Sequence, residues 1–435
     1  MNLMTGPFLT DLDTRAAIKG SLDPLGIQPI WTRFARHVVG NLTTVSNSVR
    51  DFTVLLLGYH FAERVTEDGG PEDDLAVFLK WEQLAAYARG IENEDWAFRG
   101  TERARKNALN NRRVRLSKDP RDQILGNQKM YGLWGLYTVP SRSSGLVQGN
   151  PPRLTPPGRE IVEKIYLPLF TSAGFRNADR FVKLLARPEV TLDKDDEILK
   201  AVGKILKKRM RPGERDALRF HLLLGGASDR THGNQAVLAS AIEQTLDDDD
   251  WELSPSRMRH LAKLCRDKGD VGLHVADRLE RIRTCEMLLA PAAALFDFLL
   301  GKDGQSIDDV SGQVRKHWGT SLNKTIDIER IRDLQGELAT VSGDTEGYSR
   351  WLKTGIAMAQ GDYARALNLL LEQNTAVMKA RSGAAPWAEL KDGKIQVRFR
   401  DEQTITLPEA EALPEYWWNP YFIDAMRSIA SALRG

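Results

Sequence analysis

Apolar residues spaced three and four apart run through most of this chain, a period that builds helices and leaves little room for a sheet-based core. Ile30, Phe34, Val38 and Val39 form one such stretch, and Val49, Phe52, Leu55, Leu56 and Tyr59 a second, with residues 41–48 as the turn between them. A polar, acidic loop from Thr66 to Asp74 leads to a helix expected over 75–89, with Leu75, Phe78, Leu79, Leu84 and Tyr87 inward. Further helices are expected over 175–186, 196–210 and from Glu214 onward, and Ser254 followed by Pro255 reads as a cap and first helical residue. The alanine-rich stretch 271–300 is apolar enough to be buried, with Pro291 expected to kink or break it. Helical spacing continues over 306–318, 326–338 and 345–380, the last read as a helical hairpin turning at Gly361 and Asp362. Near the end, Trp387 to Leu390, an Asp392–Gly393 turn and the alternating Ile395, Val397 and Phe399 spell a hairpin of strands over 387–399. An aromatic cluster, Tyr416, Trp417, Trp418, Tyr421 and Phe422, precedes a last short helix. The expected fold is therefore mainly α, with a small C-terminal β-hairpin.

Charge is balanced in total and lopsided in position. The 435 residues carry 61 Lys plus Arg against 59 Asp plus Glu, a net charge of +2. From Arg99 to Arg159 there are thirteen basic residues and three acidic ones (Glu102, Asp119, Asp122), so this segment alone holds +10 and the remainder −8. Clustered positive charge attracts a polyanion. A second basic run, Lys200, Lys204, Lys207, Lys208, Arg209 and Arg211, extends it. Composition shifts divide the chain into an N-terminal helical segment (1–74), a basic module (75–170), a helical middle region (171–250) and a helical C-terminal domain (251–435). Two cysteines, Cys265 and Cys285, cannot form a disulfide framework, which fits a cytoplasmic protein. No apolar run approaches the roughly 20 residues of a spanning helix, and Asp11, Asp13 and Arg15 interrupt any leader-like core, so no membrane association is expected.

Within 75–170 the expected order is three helices, a strand over 132–139, a Ser-, Gly- and Asn-rich loop, a second strand over 152–155, and a helix. The segment Leu154-Thr155-Pro156-Pro157-Gly158-Arg159 resembles the end of a winged-helix domain, where the second wing strand finishes in a Leu-Thr-Pro-x-Gly-Arg pattern and a helix starts at once. That resemblance implies a double-stranded DNA partner. A helix over 121–130 would enter the major groove, offering Gln123, Asn127, Gln128 and Lys129 to base edges. The wing tip with Arg142 would follow the backbone, Arg103, Arg105, Arg112, Arg113 and Arg115 would hold phosphates, and Lys106, Lys118, Arg121 and Arg153 complete the expected nucleic-acid-binding set. In texture the whole chain, including Leu25 to Leu42 and Gly132 to Leu146, resembles accessory proteins of bacterial anti-phage defence operons. The resemblance implies a non-catalytic sensing or adaptor subunit that binds DNA and recruits an effector among other defence-complex proteins.

Catalytic signatures are sparse. None of the seven histidines makes a HExxH or HxH pair, the spacings among His260, Cys265, His274 and Cys285 fit no zinc pattern, and neither a P-loop nor a GxSxG elbow is present. No cofactor or metal is expected. Glu389-Leu390-Lys391 matches the acid-x-Lys triplet of metal-dependent nucleases, which need a further upstream carboxylate; Asp362 is the nearest one. Two alternatives thus stand beside the adaptor: a nuclease using Glu389 and Lys391, and a structural assembly protein whose basic face meets an acidic protein.

Overall fold

The computed structural model describes residues 23–339, 346–381, 383–399 and 406–434. The expectations resting on Asp11, Asp13, Arg15 and Thr345 lie outside them. Helix accounts for 62% and strand for 6%, so the protein is mainly α with small antiparallel sheets. The described residues form two compact units, one within 23–37 together with 249–421, the other within 38–248 together with 422–434.

The first unit begins with α1 (Ile27–Arg36), after which the chain enters the second unit. There α2 (Val49–Glu67) and α3 (Asp74–Asn93) pack side by side, each capped by a side-chain oxygen: Ser48 Oγ accepts from Asp51 N and an Asp73 oxygen from Ala76 N. These two helices are buried on nearly every face and form the centre of the unit. Around them follow α4 (Thr101–Asn110), β1 (Arg113–Ser117), α5 (Gln128–Tyr131), α6 (Leu133–Ser143), β2 (Val147–Gln148), β3 (Arg153–Leu154) and α7 (Pro156–Ile161). A π-helical turn, Val162–Tyr166, joins α7 to α8 (Leu167–Ser172). Next come α9 (Asp179–Leu185), β4 (Glu189–Asp193), α10 (Glu197–Ile205), α11 (Pro212–Leu218), which runs into a second π-helical turn at Arg219–Leu223, and α12 (Asn234–Glu243).

The basic module departs from the expected order in three places. Residues 133–139 are helical, within α6, because the extended Gly132 before them leaves room for Glu82 to cap Leu133: its Oε1 accepts from Leu133 N at 2.8 Å. The expected groove helix over 121–130 is irregular except for the single turn of α5. Residues 113–117 are a strand: the alternation of Arg113, Val114, Arg115 and Leu116 puts Val114 and Leu116 inside and both arginines outside. Its partner is β4, between the helices expected over 175–186 and 196–210, in register Arg113↔Asp193 and Arg115↔Thr191. The strand expected over 152–155 does form, as β3, but its partner is β2, with Val147↔Leu154 in register.

Back in the first unit are α13 (Pro255–Arg266), α14 (Gly269–Leu300), α15 (Ile307–Trp318), α16 (Ile328–Arg332), α17 (Gln335–Leu338), α18 (Gly347–Ala359), α19 (Tyr363–Ala380), β5 (Ala388–Lys391) and β6 (Lys394–Val397). Ser254 caps α13 as expected, its Oγ accepting from Arg257 N at 3.1 Å. The α14 helix is continuous through Pro291, where a kink or break was expected, and buried packing on α1, α13 and α19 supplies the stability the proline removes. The β5–β6 hairpin turns on Asp392 and Gly393, both with positive φ (52° and 75°), and pairs Glu389↔Gln396 and Leu390↔Ile395. Finally α20 (Ile423–Leu433) completes the second unit against α12 and the Arg219–Leu223 turn.

Candidate nucleic-acid interface

Seven of the thirteen basic side chains between Arg99 and Arg159 face a carboxylate of the same unit. Arg113 meets Asp193 at 3.0 Å and Arg112 lies 3.9 Å from the same group; Arg115 pairs with Asp122 at 3.2 Å and with Glu189. The β1–β4 register causes this, since it lays the arginine face of one strand beside the acidic ends of the other. Arg121 pairs with Asp119 at 2.7 Å, Lys118 lies 4.0 Å from Glu72, Arg153 meets Asp74 at 2.6 Å and Arg159 meets Glu63 at 2.6 Å. Exposed pairs of this kind hold little energy, yet they cancel charge that a polyanion would otherwise meet. Two more cations are spent on backbone: Arg103 donates to the carbonyls of Pro120 and Arg121, and Arg142 to that of Gly149.

Two of the three expected base-reading amides are internal. Gln128 is fully buried; its Nε2 donates to Glu82 Oε2 at 2.8 Å and to the Leu79 carbonyl, and its Oε1 accepts from Gln83 Nε2 and Ile124 N. Gln123 is also buried, donating to the Lys118 carbonyl. Neither is open to a base edge, because Gln128 ties the irregular 118–127 segment to α3 and Gln123 closes that segment on itself. Asn127 stays exposed but caps α5, accepting from Met130 N.

Among the described residues, Arg99, Arg105, Lys106 and Lys129 remain exposed without a carboxylate partner. In the second run Lys200, Lys204, Lys207, Lys208 and Arg209 are likewise exposed, while Arg211 donates to the carbonyls of Lys204 and Ile205. The helix expected over 196–210 ends at Ile205, so Lys207 to Arg209 sit on the loop that follows. That loop turns back toward α2: Arg50 Nε donates to the Lys207 carbonyl at 2.7 Å.

The two runs meet at one cavity of about 500 Å³, with Arg99 from the first and Lys208 from the second in its lining. Its inner wall is neutralised. Arg89 bridges Asp51 at 2.7 Å and Asp95 at 2.8 Å over the Phe98 ring, and Arg50 forms a buried pair with Glu214. Burial raises the Asp51 carboxyl, opposed by Arg89, and burial also pushes neighbouring Glu82 up to about 7. This internal polar network was missed because it has no motif. The visible signal is a run such as Leu79-Lys80-Trp81-Glu82-Gln83-Leu84, where charged residues stand inside a helix too apolar to have a wet face.

Elsewhere, Glu389 lies beside Lys391 on β5 but is paired with Arg398 at 2.6 Å. Among the described residues no group of three or more His, Cys, Asp or Glu is placed to hold a metal ion. Cys265 and Cys285 are buried and free, and burial pushes the Cys265 thiol up to about 12. None of the described helices is long and apolar enough to cross a membrane. Comparison of the chain with known protein-family models, curated proteins and solved structures gives no match.

Proposed function

We propose that the second unit binds nucleic acid through the phosphate backbone, using the basic residues that keep their charge: Arg99, Arg105, Lys106 and Lys129 with Lys200 to Arg209. The observation that carries this is the convergence of Arg99 and Lys208, from runs a hundred residues apart, on one cavity rim. Phosphate contacts position a duplex without reading it, and the burial of Gln123 and Gln128 favours binding with little sequence preference. The helix, hairpin and helix of α6, β2–β3 and α7 support a winged-helix-like element in which α6 replaces 121–130 as the groove-facing helix. Its exposed positions Gly135, Val139 and Arg142 offer a single cation, which again favours backbone contact. A sensing or adaptor role in a defence complex follows from the resemblance of the whole chain.

The test is the affinity of fluorescein-labelled duplex DNA for the full chain over a salt series, read by anisotropy. R105Q/K106Q/K207Q/K208Q is expected to reduce the slope of log K against log salt by about 3 to 4. R113Q/R115Q, which removes cations already paired, is expected to change it by less than about 1. Unchanged binding in the quadruple variant overturns the proposal. Capture of an acidic protein without DNA binding supports the assembly alternative, and Mg²⁺- or Mn²⁺-dependent cutting of plasmid, lost in E389Q, supports the nuclease.

A further inference from the structure

The cavity of about 500 Å³ where the two basic runs meet has an interior and a rim of different chemistry. Among the described residues, both carboxylates of its lining, Asp51 and Asp95, are bonded to Arg89, and Arg50 is paired with the buried Glu214 behind it. At the rim, Arg99 and Lys208 are exposed and have no carboxylate partner among those residues.

The buried arginines also hold the rim in place. Arg89 donates to the Ala97 carbonyl at 3.1 Å while Asp95 accepts from Ala97 N at 3.2 Å, which fixes the segment leading to Arg99. Arg50 Nε donates to the Lys207 carbonyl at 2.7 Å, which fixes the loop that bears Lys208. The Tyr137 hydroxyl accepts from Ser48 N at 3.3 Å and ties α6 to the start of α2. Buried ion pairs contribute little to stability once desolvation is counted. Here they set two open cations at a fixed place on a concave site, which is the preorganisation that binding requires.

This zoning selects the ligand. An anionic group drawn inside would meet Asp51 and Asp95, so negative charge belongs at the rim beside Arg99 and Lys208. What enters the interior is then neutral, with polar edges and apolar faces. Phe98, Tyr137 and Met210 supply apolar surface. Asn47, exposed and without a hydrogen bond among the described residues, supplies an amide that both donates and accepts. A heteroaromatic base joined to a phosphate has this polarity, and the volume is in the range of small-ligand sites. We propose, resting on the phosphate-backbone reading above, that the cavity receives one nucleotide, with its base inside and its phosphate between Arg99 and Lys208. A strand that supplies it does so from an unpaired position, because a paired base leaves the stack only at the cost of unpairing. The nucleotide belongs to such a strand or is free, and the ligand series below separates the two.

The test is anisotropy of the full chain with three labelled duplexes: blunt, ending in one unpaired nucleotide, and ending in the same nucleotide without its base. The abasic form keeps the added phosphate, so the comparison isolates the base. The unpaired nucleotide is expected to bind about tenfold tighter than the abasic one. A97W and A432W each place an indole at an exposed alanine of the lining, where the fold tolerates it, and are expected to remove that gain. AMP and ribose 5-phosphate are titrated in parallel through the indole N–H of Trp96, whose ring lies 6.0 Å from that of Phe98. Tighter binding of the unpaired end than of AMP assigns the site to a strand, and the reverse to a free nucleotide. Equal binding with and without the base in both series, or a gain undiminished in both variants, overturns the proposal while blunt-duplex binding leaves the backbone reading standing. Failure of the blunt duplex to bind overturns the backbone reading, and the nucleotide site with it.

Discussion

At the scale of single residues, the second unit contains two buried titratable groups with opposite effects on stability. His60, 3% exposed on α2, has no hydrogen-bond partner on either ring nitrogen, and burial lowers it to about 4. Unfolded, it takes up a proton near pH 6.5, so between pH 6.5 and 4 the unfolded chain binds the extra proton and stability falls as pH drops. Glu82 behaves in reverse: burial raises it from 4.5 to about 7, the native state holds the extra proton between those values, and stability falls as pH rises through them. Each shift corresponds to about 3 kcal/mol. Thermal melts from pH 4 to 8 check both. H60L is expected to remove the acid-side loss and to raise Tm at pH 5. E82Q is expected to flatten the loss toward pH 7, though its own amide then faces the Gln128 amide and lowers Tm overall. No sequence pattern distinguishes His60 from a surface histidine, since the helix that buries it is buried by its neighbours.

At the scale of elements, local signals were legible and distant pairing partners were not. The Thr155 cap, with Oγ1 accepting from Gly158 N at 3.2 Å, and Pro156 at the first helical position follow from the residues themselves. The structure adds why Gly158 and Arg159 complete that segment. A Cβ at Gly158 would stand 2.2 Å from the Leu146 carbonyl, and Arg159 clamps the start of α7 to Glu63, whose other oxygen accepts from Leu154 N. The arginine of this motif is thus structural. G158A is expected to destabilise the second unit by at least about 2 kcal/mol, because a backbone carbonyl must move; a denaturant midpoint unchanged within error would refute the close contact. Strand β1 was missed because its partner β4 is some seventy residues away and neither strand is stable alone.

At the scale of the whole molecule, the second unit is closed by the far end of the chain. Ile423, Met426, Ile429 and Leu433 of α20 are buried there, and burying such side chains contributes roughly 1.5–3 kcal/mol each. Their sum rivals the entire stability of a domain. Deleting residues 422–435 is therefore expected to expose Val38–Asp248 to limited proteolysis while residues 249–421 remain resistant. Equal resistance of both would show that α20 is dispensable.

Helical periodicity, the capping residues and the Asp392–Gly393 turn determined from sequence alone that this protein is mainly α with one late hairpin, because those preferences act within a few residues. Sequence also set the density of positive charge between Arg99 and Arg159. Which of those charges survive was decided mostly by tertiary structure: strand register and helix packing brought Asp193, Glu189, Glu72, Asp74 and Glu63 to six of them and brought Lys208 to Arg99. A charge is written at one position, but its field depends on what the fold places within a few ångströms of it.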